Sequence, residues 1–82
     1  MTADIVELAS VLSSPSRVEM LFALGEHERT VTELAHVAGI GMASASYHVE
    51  KMAESGLVQV RPYGNRRVIS LKAREVRLRF VP

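Results

Sequence analysis

The sequence predicts a single α+β domain, mainly α, and three observations carry that expectation. Apolar residues recur with helical spacing as far as Ser55, and from Leu57 the spacing changes to the two-residue period of strands. The turn-forming run Pro62-Tyr63-Gly64-Asn65 then divides the second part into two β-rich stretches. At 82 residues the chain builds one small core, in the size range where association often adds burial. It has no room for separate substrate and cofactor domains.

The first helix is expected from Asp4 to Leu12, where Ile5, Leu8, Ala9 and Leu12 fall at i, i+3, i+4 and i+7. Ser13-Ser14-Pro15 ends it and starts the second. Ser14 is suited to cap that helix and Pro15 to occupy its first position, where a missing N–H leaves no bond unmade. Val18, Leu21 and Phe22 are expected on one face, and Gly25 is expected to close the helix. After the polar connection Glu26-His27-Glu28-Arg29, Thr30-Val31 reads as a very short strand.

The third helix is expected to start at Thr32 as N-cap, with Glu33 in its first turn complementing the helix dipole. Leu34, Ala35 and Ala38 are its inner positions, and Gly39 ends it. The fourth helix runs from Met42 to Ser55 with Ala45, Val49 and Met52 as a buried stripe, and Gly56 closes it. Leu57 to Arg61 and Arg66 to Leu71 form a hairpin around the Pro/Gly/Asn turn. For residues 72–82 the alternation of Val76, Leu78 and Phe80 with Arg77 and Arg79 slightly favours a strand, with a short helix nearly as good.

The formal net charge of +1 conceals a strong asymmetry. Residues 1–60 carry three basic side chains against eight acidic ones, a balance of −5, whereas residues 61–82 carry seven basic ones against Glu75 alone, a balance of +6. An acidic body with a basic end suggests a polyanion partner, nucleic acid or anionic lipid. The basic end lacks a long amphipathic face, which argues against a membrane partner. The start Met1-Thr2-Ala3-Asp4 lacks the basic opening of a signal peptide, and no 18-residue apolar run exists. A cytoplasmic, nucleoid-associated protein is the resulting expectation.

Two short helices joined by Gly39-Ile40-Gly41 match a helix-turn-helix over residues 32–55, and the hairpin at 57–71 follows the second of them directly. That order is winged helix-turn-helix. At this point the chain resembles the ArsR/SmtB family of winged-helix regulators. The matching stretches are Leu12-Ser13-Ser14-Pro15-Ser16-Arg17, Thr32-Glu33-Leu34-Ala35, Gly39-Ile40, Ser46-Tyr47-His48-Val49 and Ser55-Gly56-Leu57-Val58. The resemblance spans roughly residues 12–71 and implies a dimer that binds a palindromic operator in double-stranded DNA, as a transcriptional repressor. Metal-sensing members carry Cys-x-Cys at the position of Thr30-Val31-Thr32, and others use Asp and His of a long terminal helix beyond the wing. This chain has no Cys, so the resemblance points to a member that does not sense metal, with no cofactor.

If Ala45, Val49 and Met52 point inward, a rotation of 100° per residue turns Ala43, Tyr47, Glu50 and Lys51 outward, with Met42, Ser44 and Ser46 on the flanks. Tyr47, Ser44 and Ser46 suit phosphate or base contacts, and Met42 and Ala43 suit only apolar ones. Lys51 adds a cation. From the wing, Arg61, Tyr63, Asn65, Arg66 and Arg67 complete the candidate DNA surface, with Arg66 and Arg67 reaching backbone or minor groove. The helix has no Arg for guanine, so thin direct readout and a preference for A·T-rich or shape-based sites are expected.

The first helix, residues 1–13, is expected to pair with a second copy through Ile5, Leu8, Ala9 and Leu12, helped by Val76, Leu78 and Phe80. The three His show no i, i+4 pair and no acidic companions in a ligand pattern, so they read as surface or packing residues and no metal site is expected. No Ser/His/Asp set, carboxylate pair or phosphate-binding Gly loop can be assembled, and an enzyme is not expected. The alternative is a protein-interaction or assembly adaptor, such as a plasmid or mobile-element module. Its protein partner would meet Glu50, Glu54 and the Met42/Ala43/Tyr47 patch.

Overall fold

The computed structural model describes residues 9, 10 and 12–72. In order these give helix α1 (Pro15–Glu26), strand β1 (Arg29–Thr30), α2 (Val31–Ala38), α3 (Met42–Glu54), β2 (Val58–Tyr63) and β3 (Arg66–Leu71). Ahead of α1, residues 9, 10 and 12 are helical as well. Ser14 caps α1 by accepting from the Arg17 N–H at 3.4 Å, with Pro15 at the first position, as the sequence predicts. Arg29 closes the other end, donating to the Ala23 carbonyl at 3.3 Å and to Glu26. That is a favourable place for a cation, where the helix dipole is negative.

Three expectations for α1 and α2 need correction, the first being that Gly25 closes α1: it lies within the helix, which runs to Glu26 with His27 as its cap. The inner face of α1 is Met20, Leu21, Ala23 and Leu24, whereas Phe22 is 55 % exposed and Val18 only half-buried. The helical period is centred on Leu21 and Leu24, which turns Phe22 outward. Nor is Thr32 the cap of α2. Thr30 is, with a full capping box: its Oγ1 accepts from the Glu33 N–H at 3.1 Å and its own N–H donates to the Glu33 carboxylate at 2.8 Å. That backbone bond is the main cause holding the Glu33 carboxyl below its ordinary pKa. Thr30→Ala is therefore expected to cost about 1 kcal/mol in urea unfolding, while Thr32→Ala, at an exposed first-turn position, should leave the midpoint nearly unchanged.

The helix-turn-helix corner follows from Gly39. It adopts φ 66°, a left-handed conformation that costs a side-chain-bearing residue, and its N–H and that of Ile40 satisfy the carbonyls of His36 and Ala35. The chain then turns directly into α3, whose stripe Ala45, Val49 and Met52 is fully buried as predicted. After α3 the Leu57 N–H bonds the Met52 carbonyl at 3.0 Å, seating Leu57 and Val58 in the core. The core is apolar throughout among the described residues, with Met20, Leu21, Leu34, Met52, Leu57 and Ile69 its largest fully buried members.

The sheet is three-stranded in the order β1-β3-β2, all antiparallel. Tyr63 faces Arg66 across a two-residue turn whose first member, Gly64, has φ 63° while Asn65 stays at negative φ. This matches the II′ arrangement that suits a twisted hairpin. The short strand expected at Thr30-Val31 lies one residue earlier, at Arg29–Thr30, where it pairs with Ile69 and Val68. Tertiary pairing with β3 alone makes two residues a strand.

Candidate nucleic-acid interface

The outer side of α3 presents Met42, Ala43, Ser44, Tyr47, Glu50 and Lys51 to solvent, and Ser46 lies half-buried on its flank. Met42 is 49 % exposed and Tyr47 53 %, so Tyr47 stands on the surface instead of folding into its own helix. Its ring makes an edge contact with His48 at 5.7 Å, and the Lys51 ammonium lies 5.5 Å from its centre. Lys51 also faces Glu54 at 3.8 Å. Glu54 is thus the carboxylate that Lys51 meets, since i, i+3 neighbours share a face and i, i+1 neighbours do not.

The wing joins this surface through one bond, in which Arg67 donates to Ser46 Oγ at 2.9 Å. Alternation along β3 explains the direction: Arg67 shares a face with the buried Ile69, toward the helices, and Arg66 shares the opposite face with Val68. The adjacent arginines therefore leave β3 on opposite faces of the strand, although both border the groove between the wing and the helices. Arg61 and Tyr63 lie on the same side as Arg66, the guanidinium 6.0 Å from the ring centre. Arg61 is bonded to Glu28 at 3.0 Å, which neutralises part of its field. Among the described residues Arg66 makes no such bond, and Asn65 and Tyr63 are exposed beside it at the wing tip. A groove of about 140 Å³ runs between wing and helices, lined by Thr30, Thr32, Met42, Asn65, Arg66 and Arg67.

Two residues outside the expected site help to hold it. Arg17 of α1 donates through Nε to His48 Nδ1 at 2.9 Å. The sequence assigned His48 to an ordinary surface or packing role. A signal for it existed: His48 is three residues past Ala45 and four before Met52, which puts it at the rim of the buried stripe. Its partner, 31 residues earlier, had no local signature.

Of the expected dimer residues, Ile5, Leu8, Val76, Leu78 and Phe80 lie outside the described residues. Ala9 and Leu12 are helical and exposed. No cluster of three His, Cys, Asp or Glu suited to a metal occurs among the described residues, and no helix there is long and apolar enough to cross a membrane.

Three helices with a helix-turn-helix corner and a β-hairpin whose arginine touches the second helix of that corner define a winged helix-turn-helix domain. Residues 12–61 match the model of the family described as helix-turn-helix domain. The chain belongs to that family, and its wing and structural neighbours place it with the ArsR-like winged-helix regulators. It is 35 % identical over 72 residues to the HTH-type transcriptional regulator YdfF of Bacillus subtilis, a match covering 87 % of this chain and 32 % of that protein. The chain thus spans about a third of that relative's length. Its fold is similar to the homodimeric winged helix-turn-helix DNA-binding domain of Mb0332 from Mycobacterium bovis, a possible ArsR-family regulator (TM-score 0.85, 25 % identity, 93 % of this chain and 70 % of that one). It is also similar to the transcriptional repressor BigR from Xylella fastidiosa (TM-score 0.82, 28 % identity, 93 % and 78 %).

Proposed function

We propose that the chain binds double-stranded DNA as a homodimer and represses transcription in the cytoplasm from a palindromic operator, with α3 in the major groove and the wing on the flanking backbone or minor groove. The observation that carries this reading is the Arg67–Ser46 bond, which makes α3 and the wing one continuous surface. Met42, Ala43, Ser44, Ser46, Tyr47 and Lys51 are its groove-facing set, and Arg61, Tyr63, Asn65, Arg66 and Arg67 its wing set. The homodimeric Mb0332 domain and the repressor BigR support dimerisation and repression as the coarse expectation.

The helix set has apolar and hydroxyl groups, one ammonium turned to Tyr47 and Glu54, and no guanidinium, so it suits thymine methyls and phosphates better than guanines. Selection of binding sites from random duplex DNA tests the whole reading. The expected result is two A·T-rich half-sites related by a dyad, their centres about one helical turn apart. Survivors without a shared motif would remove sequence-specific recognition, and no retention at low salt would remove DNA binding altogether. A second reading, a protein-docking module, rests on the exposure of Met42 and Tyr47 beside Glu50 and Glu54. A stoichiometric protein partner retained after nuclease treatment would favour it.

A further inference from the structure

Two arginines reach α3 from opposite sides, Arg67 from the wing and Arg17 from the first turn of α1. Because the Arg17 Nε–H donates to His48 Nδ1, that nitrogen carries no proton, and the imidazole is the neutral form protonated at Nε2. Both side chains are half-buried. Burial first, and the Arg17 charge second, hold the His48 pKa below the ordinary value. Among the described residues the charged group acting on His48 is Arg17. On its own helix His48 meets the Tyr47 ring, and Lys51, one turn on, is turned to Tyr47 and Glu54.

We propose that Arg17 and His48 are positioning residues for DNA binding: their bond ties α1 to the middle of α3 and sets the rotation of α3 about its own axis. This rests on the DNA-binding reading above. The need for such a bond follows from the stripe that α3 buries. Val49 is stiff and fully buried and fixes which face of α3 is inward, but Ala45 has no side chain beyond Cβ and Met52 is flexible, so the fine angle of the helix is set less sharply by apolar packing, which is non-directional. A directional bond at His48 fixes the angle at which its neighbour Tyr47, and Ser44 one turn earlier, are presented. Protonation of His48 would fill Nδ1 and set an imidazolium against a guanidinium. The folded-state pKa is lowered, so the brace is intact above about pH 6.5 and is lost as pH falls below that through the lowered value.

The test compares the wild-type chain with Arg17→Met and His48→Asn, whose amide oxygen replaces the Nδ1 acceptor and does not titrate. Affinity for one A·T-rich duplex is read by fluorescence anisotropy at pH 7.5 and 5.5, and the imidazole tautomer of the free protein by long-range ¹H–¹⁵N correlation. Arg17→Met is expected to weaken binding about tenfold at pH 7.5, while His48→Asn stays within about twofold of wild type. On moving to pH 5.5 the wild type should lose affinity relative to His48→Asn, which leaves every other titratable group unchanged. A folded Arg17→Met chain that binds as wild type, or parallel pH profiles for wild type and His48→Asn, would overturn the proposal. If Arg17→Met does not fold, the His48→Asn profile decides alone. A wild-type chain that binds no duplex at low salt overturns the DNA reading and the positioning role with it. The tautomer signal of the free protein would still report the brace, so the two failures are distinguishable.

Discussion

Replacing Arg66 and Arg67 together by Ala is expected to lower DNA affinity on the order of a hundredfold at moderate salt, with nearly equal loss on every duplex. Both side chains are exposed, so the fold should survive the change. Each guanidinium that neutralises a phosphate releases condensed counterions, and removing one reduces the salt slope by about one. A dimer losing two per protomer should therefore show a slope shallower by about four. The two single variants should differ in kind. Arg66, which bonds no other described residue, supplies charge alone, so Arg66→Ala changes slope and affinity together. Arg67→Ala also releases the wing from Ser46, and Ser46→Ala separates that part, since it breaks the 2.9 Å bond and leaves the charge. Titrations at several salt concentrations check all four variants, and an unchanged slope in the double variant would remove the wing from the interface.

The second large effect lies in the core. Leu34 is fully buried in α2, and Leu34→Ala is expected to cost 2–5 kcal/mol, the range for deleting buried aliphatic groups where the neighbours relax only partly. A domain of this size has roughly 4–12 kcal/mol in all, so much of the population would unfold near body temperature. Val37, one turn on and 38 % exposed, is the matched control: Val37→Ala should change stability by less than about 0.5 kcal/mol. Urea unfolding followed by circular dichroism measures both. Equal midpoints for the two variants would mean that α2 does not bury the face described.

Local chemistry made much of this molecule legible from its residues. The Ser14-Pro15 start of α1, the Gly39 corner and the inner stripe of α3 depend on neighbours a few positions apart, and each is found where the sequence predicts it; the hairpin is found too, but Pro62 and Tyr63, expected in its turn, pair with Arg67 and Arg66 as part of β2. Errors arose where two residue types competed for one role. Thr30 and Thr32 are both acceptable caps, but only Thr30 has a Glu three residues later, and the capping box selected it. Phe22, expected on the same face as Val18 and Leu21, is turned outward by the period that Leu21 and Leu24 set.

The composition and order of elements by themselves determined that this is a winged helix-turn-helix with an acidic body and a basic wing, because helix period, strand period, turns and charge are properties of short stretches. Only the tertiary structure decided how the cations are used. Arg61 is held by Glu28 across 33 residues, Arg67 by Ser46 across 21 and Arg17 by His48 across 31, while no described residue holds Arg66. It also made Arg29–Thr30 a strand, by laying it against β3. These pairings need side chains brought within about 3 Å by packing of distant segments, and that distance is encoded by the whole core and by no single run of residues.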